Sequence, residues 1–428
     1  MSVTRRIFLG GGAGVLAQAQ NVAPSDRVTV GMIAAGSRTH ELLEATKKVP
    51  GTEIVGVCDA YAGRVERAIE RTNGRAKDYG TYEQILDDPS IDAVTIGTPD
   101  HWHRKMVLAA LESGKEVYCE KPLTFTVDEG LEITEAAEQS GRILQVGSQT
   151  ISSDGTKMLR DWVRSGKLGQ VTMIRAAYNR NSAGGSWIYP IPSDASPETV
   201  DWEAFLGPAP KREFDLERFF RWRCYREYSG GIATDLFVHL CTTVHFVMDA
   251  AMPAEVVAMG DLYRWTESRN VPDTLNALLR YREGFTVNLS STFNSRADGG
   301  SLFQVLGTEG AAQMLGRDLI FHPDPGYDSN GWIVSAWPAR LEAEYYRTPK
   351  GSAELRRTAR PQEEVHKDTG PAATVAHLAD FFSSVRHRKA PIEDAWAGHY
   401  AASCAHMVNA SVEAGSMMRW DFENHRLA

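Results

Sequence analysis

Short, almost continuously apolar runs alternate with helical spacing through the first third of the chain. The runs cover residues 27–33, 53–58, 93–96, 117–119 and 143–146. Their flanks carry turn residues, and they read as strands buried on both faces, the pattern of a parallel sheet. Helical spacing predicts a helix beginning near His40, then helices over 60–71, 82–86 and 104–113. Strand and helix in alternation give a doubly wound α/β domain. From Gly169 the period changes to two. Residues 171–178, 256–263, 274–281, 286–292 and 302–306 alternate or run apolar between turns, and predict a second sheet, mostly antiparallel. Helices over 373–386 and 396–414 close the chain.

Two stretches break the pattern. Residues 184–210 are rich in Gly, Pro, Ser and Trp and read as a long loop of the kind that carries binding residues or a lid. Residues 324–371 are polar and irregular and yield no assignment.

Candidate chemistry begins where the apolar runs end. The run 117–119 stops at Glu120-Lys121-Pro122, because proline cannot continue a ladder. Lys121 thus stands at the carboxyl end of a strand, where open parallel sheets bind ligands. The same residues also suit a surface ion pair before a turn. The first strand runs into Ala34-Ala35-Gly36-Ser37-Arg38-Thr39 and then a helix, the context of a dinucleotide-binding turn. The glycine pattern is degenerate: Ala34 and Thr39 replace the first and third glycines, while Gly36, where backbone approaches a pyrophosphate, is kept. The second strand ends in Asp59. A carboxylate there accepts from ribose hydroxyls and repels a 2′-phosphate, favouring NAD over NADP; the weaker alternative is a cap on the helix that follows. Farther on, Asp235 and His239 lie four apart in a predicted helix, hence on one face. A carboxylate beside an imidazole fixes its tautomer and suits a general base, or serves as a structural pair. Trp187, Tyr189 and Trp202 in the loop either stack on a sugar ring or pack the loop down.

Composition narrows the classes. With 428 residues the chain holds two domains, and 24% charged and 43% hydrophobic residues are ordinary for a globular protein. A net charge of −9 without a basic stripe excludes a nucleic-acid footprint and gives no reason for an anionic membrane surface. The five scattered cysteines form neither a disulfide framework nor a zinc spacing. His101 and His103 beside Trp102 lack a third ligand, so no metal is expected. Residues 1–25 read as a twin-arginine export signal, with Arg5-Arg6 before a short weakly apolar run and Ala17-Gln18-Ala19 as a cleavage site. The run is too short to span a bilayer, and the expected location is periplasmic. Domains are expected over 26–148 and 149–428.

Several motifs now occur in order: Thr98-Pro99-Asp100-His101-Trp102-His103, Glu120-Lys121-Pro122-Leu123, Gly147-Ser148-Gln149, Asp201-Trp202-Glu203-Ala204-Phe205-Leu206-Gly207-Pro208-Ala209-Pro210, and the run from Gly230 to His239. Together they resemble the family of glucose-fructose oxidoreductase, inositol dehydrogenase and rhizopine-catabolism proteins, the Gfo/Idh/MocA family, over nearly the whole chain after the signal. The resemblance implies an N-terminal Rossmann domain followed by an α/β domain with a large, mostly antiparallel sheet. It implies that NAD is held by Ala34, Ala35, Gly36, Ser37, Arg38, Asp59, Thr98, Pro99, Asp100, His103, Glu120, Lys121 and Gln149. It places Lys121, often next to a cis peptide to Pro122, between nicotinamide and substrate. Asp235 and His239 face the same pocket, and the substrate would meet Tyr178, Trp187, Trp222 and Arg223 as well. Homo-oligomerisation through the second sheet is plausible in the family.

The implied activity is hydride transfer between a secondary alcohol of a sugar or polyol and NAD, with Lys121, Asp235 and His239 catalytic. Twin-arginine substrates cross folded, and free NAD is scarce outside, so a carried cofactor should be regenerated in each cycle. Paired sugar redox meets that demand. So does an NAD-dependent glycosidase that oxidises, eliminates and re-reduces, as some relatives do. A non-catalytic sugar or cofactor sensor on the same fold is the third reading.

Overall fold

The computed structural model describes residues 26–324, 330–356 and 362–428. The expected export signal lies outside them. The early apolar runs become β1 (Val28–Ile33), β2 (Thr52–Cys58), β3 (Lys77–Asp78), β4 (Ala93–Ile96), β5 (Glu116–Cys119) and β6 (Leu144–Val146), with every residue of β4, β5 and β6 buried. They pair in parallel in the order β3-β2-β1-β4-β5-β6, so connections leave in opposite directions on the two sides of the β1/β4 junction. That junction is the switch point where such sheets bind ligands. The intervening helices are α1 (Ser37–Thr46), α2 (Ala62–Arg71), α3 (Tyr82–Asp87), α4 (His103–Glu112) and α5 (Asp128–Ser140). Both faces of the sheet are thereby covered, which is why its strands tolerate no polar alternation.

After α6 (Asp154–Arg164) comes β7 (Val171–Tyr178), then α7 (Trp202–Leu206), α8 (Leu216–Phe220), a π-helical turn (Ala233–Phe237) and α9 (Val238–Met248). The second sheet adds β8 (Glu255–Asp261), β9 (Thr274–Arg280), β10 (Thr286–Thr292), β11 (Ser301–Gly307), β12 (Gly310–Leu315) and β13 (Asp318–Pro323). The stretch read as irregular holds α10 (Gly331–Val334), α11 (Ala339–Tyr345), α12 (Pro349–Arg356) and β14 (Glu364–His366); the helices are too short for a periodic pattern to register, and Trp332 is 84% exposed. The chain ends with α13 (Ala373–His387), α14 (Ala395–Ala414), β15 (Met418–Asp421) and β16 (Arg426–Leu427).

Among the described residues the second sheet has ten strands, ordered β14-β13-β12-β11-β7-β10-β9-β8-β15-β16, and only the β7/β10 pairing is parallel. Strand β9 alternates buried and exposed, as a sheet covered on one side must. Its inner face packs on α6, α9 and α14 through Trp162, Val244, Val247, Ala401 and Met407. The outer face leaves Val257, Met259 and Leu278 exposed. All five cysteines are buried and free.

The two sheets do not divide the chain cleanly. Helix α13, placed by its sequence in the second domain, packs Leu378, Phe381 and Phe382 against Val30, Met32, Leu42 and Tyr118 of the first. Residues beyond 370 thus complete the N-terminal core.

Candidate active site

Strand β1 delivers the turn at 34–38. Ala34 takes φ of 72°, the left-handed region that favours glycine, while its N–H donates to Cys58 O at 2.9 Å. Gly36 needs no such conformation: its φ is −69°, and a Cβ built on it meets nothing within 4 Å. Neither backbone nor packing requires glycine at 36, whereas a ligand laid on the turn and the N-terminus of α1 would. The third glycine's purpose, close helix–strand packing, is transferred. Thr39 replaces it, and the opposing residue is Gly97, where a Cβ would sit 2.3 Å from Thr39 Oγ1.

Asp59 reaches back to this turn. Its Oδ2 accepts from the Ala35 N–H at 2.7 Å and its Oδ1 from the Tyr61 N–H at 2.9 Å. Arg64 Nη1 also reaches Oδ1 at 3.5 Å, so the free lone pair is on Oδ2, and the carboxylate both shapes the turn and remains an acceptor. Arg38 crosses to the neighbouring strand ends: Nε donates to Glu120 Oε1 at 2.7 Å and Nη2 to Gln149 Oε1 at 3.0 Å. Burial would lower the Arg38 pKa, but the charges of Glu120 and Tyr118 together with the hydrogen bonds to Glu120 and Glu41 outweigh it, and the guanidinium titrates above its ordinary value. One side chain thus ties β1, β5 and β6 together.

Lys121 follows β5, joined to Pro122 by a cis peptide. Its Nζ donates to the Asp235 carbonyl at 2.9 Å and to Asp235 Oδ1 at 3.0 Å, and Arg223 Nε reaches the same Oδ1 at 3.0 Å. Burial would raise the Asp235 pKa; Lys121, Arg223 and Arg180 together hold it well below the usual carboxylate range. Asp100, also buried, accepts from Thr234 Oγ1 at 3.3 Å and is pushed up by burial to about 7, against the pull of Lys121 and Arg223. Two carboxylates of opposite tendency therefore share one pair of cations.

The expected pairing of Asp235 with His239 is not formed. The two residues enter α9 through the π turn, in which i and i+4 no longer stack as in an α-helix. Asp235 goes to Lys121 and Arg223, and His239 Nδ1 is buried with no hydrogen-bond partner among the described residues. Burial, then the charge of Lys121, puts the His239 pKa well below its ordinary value. Its imidazole is neutral with Nδ1 unpartnered among the described residues, while the same burial and charge disfavour the protonated form.

Other expected residues go elsewhere. His103 was placed on the cofactor, but its ring bridges two carbonyls, Pro122 O at 2.6 Å from Nδ1 and Thr98 O at 3.1 Å from Nε2. It holds two turns together instead of lining the cleft. Trp187 is buried edge-on against Phe293, centroids 4.8 Å apart, and Trp202 is buried on Phe205 at 5.2 Å. Both pack the loop, so neither is free to stack on a sugar. Tyr178 is half-buried against the same core as Trp187.

A cavity of about 550 Å³ runs along the strand ends, ample for a nucleotide-sized ligand. Ala34, Gly36, Ser37, Arg38, Asp59, Thr98 and Pro99 line one wall, and Tyr189, Phe219, Phe220, Trp222 and Arg223 the other. It reaches the charge cluster through Arg223. Inside the site, Thr98 Oγ1 and His239 Nδ1 are both buried without partners, which fits a site built for a polar ligand. Sequence reasoning missed Arg180, whose charge acts on Asp235 and His239. It stands two residues past the end of β7, in the mostly antiparallel sheet, where the parallel strand-end rule that marks Lys121 does not reach. Among the described residues no group of three or more His, Cys, Asp or Glu is arranged to hold a metal, and no helix is long and apolar enough to cross a membrane.

Comparison with known proteins follows the same division. The family model described as an oxidoreductase family with NAD-binding Rossmann fold matches residues 28–148, and the GFO/IDH/MocA C-terminal domain matches 204–313. The 1,5-anhydro-D-fructose reductase of Ensifer adhaerens is 27% identical over 291 residues, 68% of this chain and 76% of its own length. Inositol 2-dehydrogenase of Salmonella typhimurium is 30% identical over 174 residues, 40% of this chain and about half (48%) of that relative. A solved levoglucosan dehydrogenase, in complex with NADH and levoglucosan, shares the fold at a TM-score of 0.68, covering 92% of this chain and 99% of that one at 17% identity. The two models together span more than half of the chain, which belongs to the GFO/IDH/MocA oxidoreductase family, with an NAD-binding Rossmann fold.

Proposed function

We propose that this protein oxidises a secondary hydroxyl of a sugar or polyol with NAD, retaining the dinucleotide from one turnover to the next. The observation that carries the reading is the setting of Lys121. An ammonium has three donors, and Asp235 engages two of them, aiming the third. NAD, when bound along the turn at 34–38 and Asp59, supplies the hydride acceptor. Lys121 then stabilises negative charge growing on the substrate oxygen, and neutral His239 receives the hydroxyl proton. Asp235 acts by fixing Lys121 and Arg223. Tyr189 and Trp222, on the cavity wall, are the aromatic surfaces available to a sugar ring. The names of the anhydrofructose, inositol and levoglucosan enzymes support the substrate class. Export through the segment containing Arg5 and Arg6, and self-association through the outer face at Met259 and Leu278, belong to the same reading.

His239→Ala should lower kcat by about 10²–10⁴-fold, the usual worth of a positioned base, with NAD affinity unchanged by titration. Unchanged turnover would remove His239 from the mechanism. Glycosides belong in the same assays: cleavage without net formation of NADH would assign the site to hydrolysis by transient oxidation.

A further inference from the structure

We infer that residues 194–223 form a strap that keeps the dinucleotide in its cleft, so that release waits on opening of the strap. The inference rests on the NAD reading above and concerns what governs exchange.

The strap is fastened on both sides of the pyrophosphate turn. At the β2 end, Tyr61 and Val200 form an isolated antiparallel bridge, the Ala62 N–H donates to Thr199 O at 3.0 Å, and the Asp201 N–H to Ala60 O at 2.7 Å. The Tyr61 hydroxyl adds a 2.6 Å bond to Asp194 Oδ1. At the β4 end, Trp102 Nε1 donates to Phe205 O at 2.9 Å, and His101 Nε2 lies 3.1 Å from the same oxygen. Gly207 fits against the Trp102 ring, where a Cβ would come within 2.1 Å. In the sheet β1 lies between β2 and β4. A segment tied to both neighbours therefore crosses the turn at 34–38.

The strap is also stiff. Trp202, Phe205, Phe219 and Phe220 pack in one cluster with Tyr61 of the first domain and with Tyr228 just beyond the strap, Trp202 Nε1 donates to Arg212 O at 2.9 Å, and Asp201 caps α7 through the Ala204 N–H at 2.9 Å. Its returning limb sets Phe219 and Phe220 each 5.2 Å from the Arg64 guanidinium, beside Asp59 in the cavity wall. A nucleoside whose ribose meets Asp59 has to pass the bonds at 60–62 to leave. A strap whose aromatic side chains share one cluster opens as a unit, leaving Tyr61 behind, rather than fraying.

The test is displacement of bound NADH from the full chain by excess NAD, followed by NADH fluorescence. Tyr61→Phe and Asp194→Ala each remove the hydroxyl–carboxylate latch, one by deleting its donor and the other its acceptor. Each should speed release about tenfold, the equivalent of one good hydrogen bond. The amides of Ala62 and Asp201 should exchange with deuterium more slowly when NADH is bound. Release at the wild-type rate in both variants, with those amides indifferent to NADH, would overturn the strap while leaving NAD binding intact. A chain that binds no NADH would overturn the cofactor reading and this inference with it.

Discussion

Asp235 carries two cations on one oxygen, and its side chain is only 13% exposed. Asp235→Asn strands both Lys121 and Arg223, and breaking a largely buried pair costs about 3 kcal/mol, measurable by urea denaturation. Because its folded pKa is depressed, its stabilisation is present above the ordinary carboxylate pKa and is lost as pH falls below it. Asp100 has the opposite sign. With its folded pKa raised to about 7, it keeps its proton while the unfolded chain has already ionised. Its contribution to stability is therefore full below pH ~4 and is lost as pH rises toward about 7, on the order of 4 kcal/mol over the interval. Asp100→Asn should flatten that decline; an unaltered pH profile of stability would contradict the burial argument. Lys121, Asp235 and His239 were each visible in the sequence as a strand-end lysine and a helical carboxylate–imidazole spacing. That Lys121 is the partner of Asp235 was not, because 114 positions separate them.

The turn after β1 shows what an element demands of its residues. Gly36 has an ordinary φ and open space where a Cβ would go. Gly36→Ala should thus change stability by less than about 1 kcal/mol, yet weaken NAD binding at least tenfold. A stability loss well beyond this, with NAD affinity unchanged in the folded fraction, would show that glycine is needed there for the chain's own packing. Ala34 and Thr39 made the sequence fingerprint look damaged. The structure accommodates both, one by a positive φ and the other by Gly97 on the facing strand. A one-dimensional pattern cannot show a glycine supplied from another strand. The π turn is equally hidden: the spacing of Asp235 and His239 is that of an α-helix, and only the inserted residue turns the carboxylate to Lys121 and Arg223.

At the scale of the whole molecule, the alternation of apolar runs made both sheets legible, since buried parallel strands and one-sided antiparallel strands have different periods. The traffic between them was not. Helix α13 returns to the first core, and the loop at 184–210, read as a place for sugar-stacking tryptophans, spends Trp187 and Trp202 on packing. What that packing gains is a second wall for the cleft, which brings Tyr189, Trp222 and Arg223 to the strand ends of the first sheet. The central claim is that these two walls together make a hydride-transfer site for sugars or polyols. Its most direct measurement is the NADH signal on mixing the NAD-loaded full chain with a panel of sugars and polyols, wild type against His239→Ala. NADH should form with at least one of them, and its formation should be lost in the variant. NAD firmly bound but never reduced by any member of the panel would contradict it and leave a protein that senses ligands without transforming them.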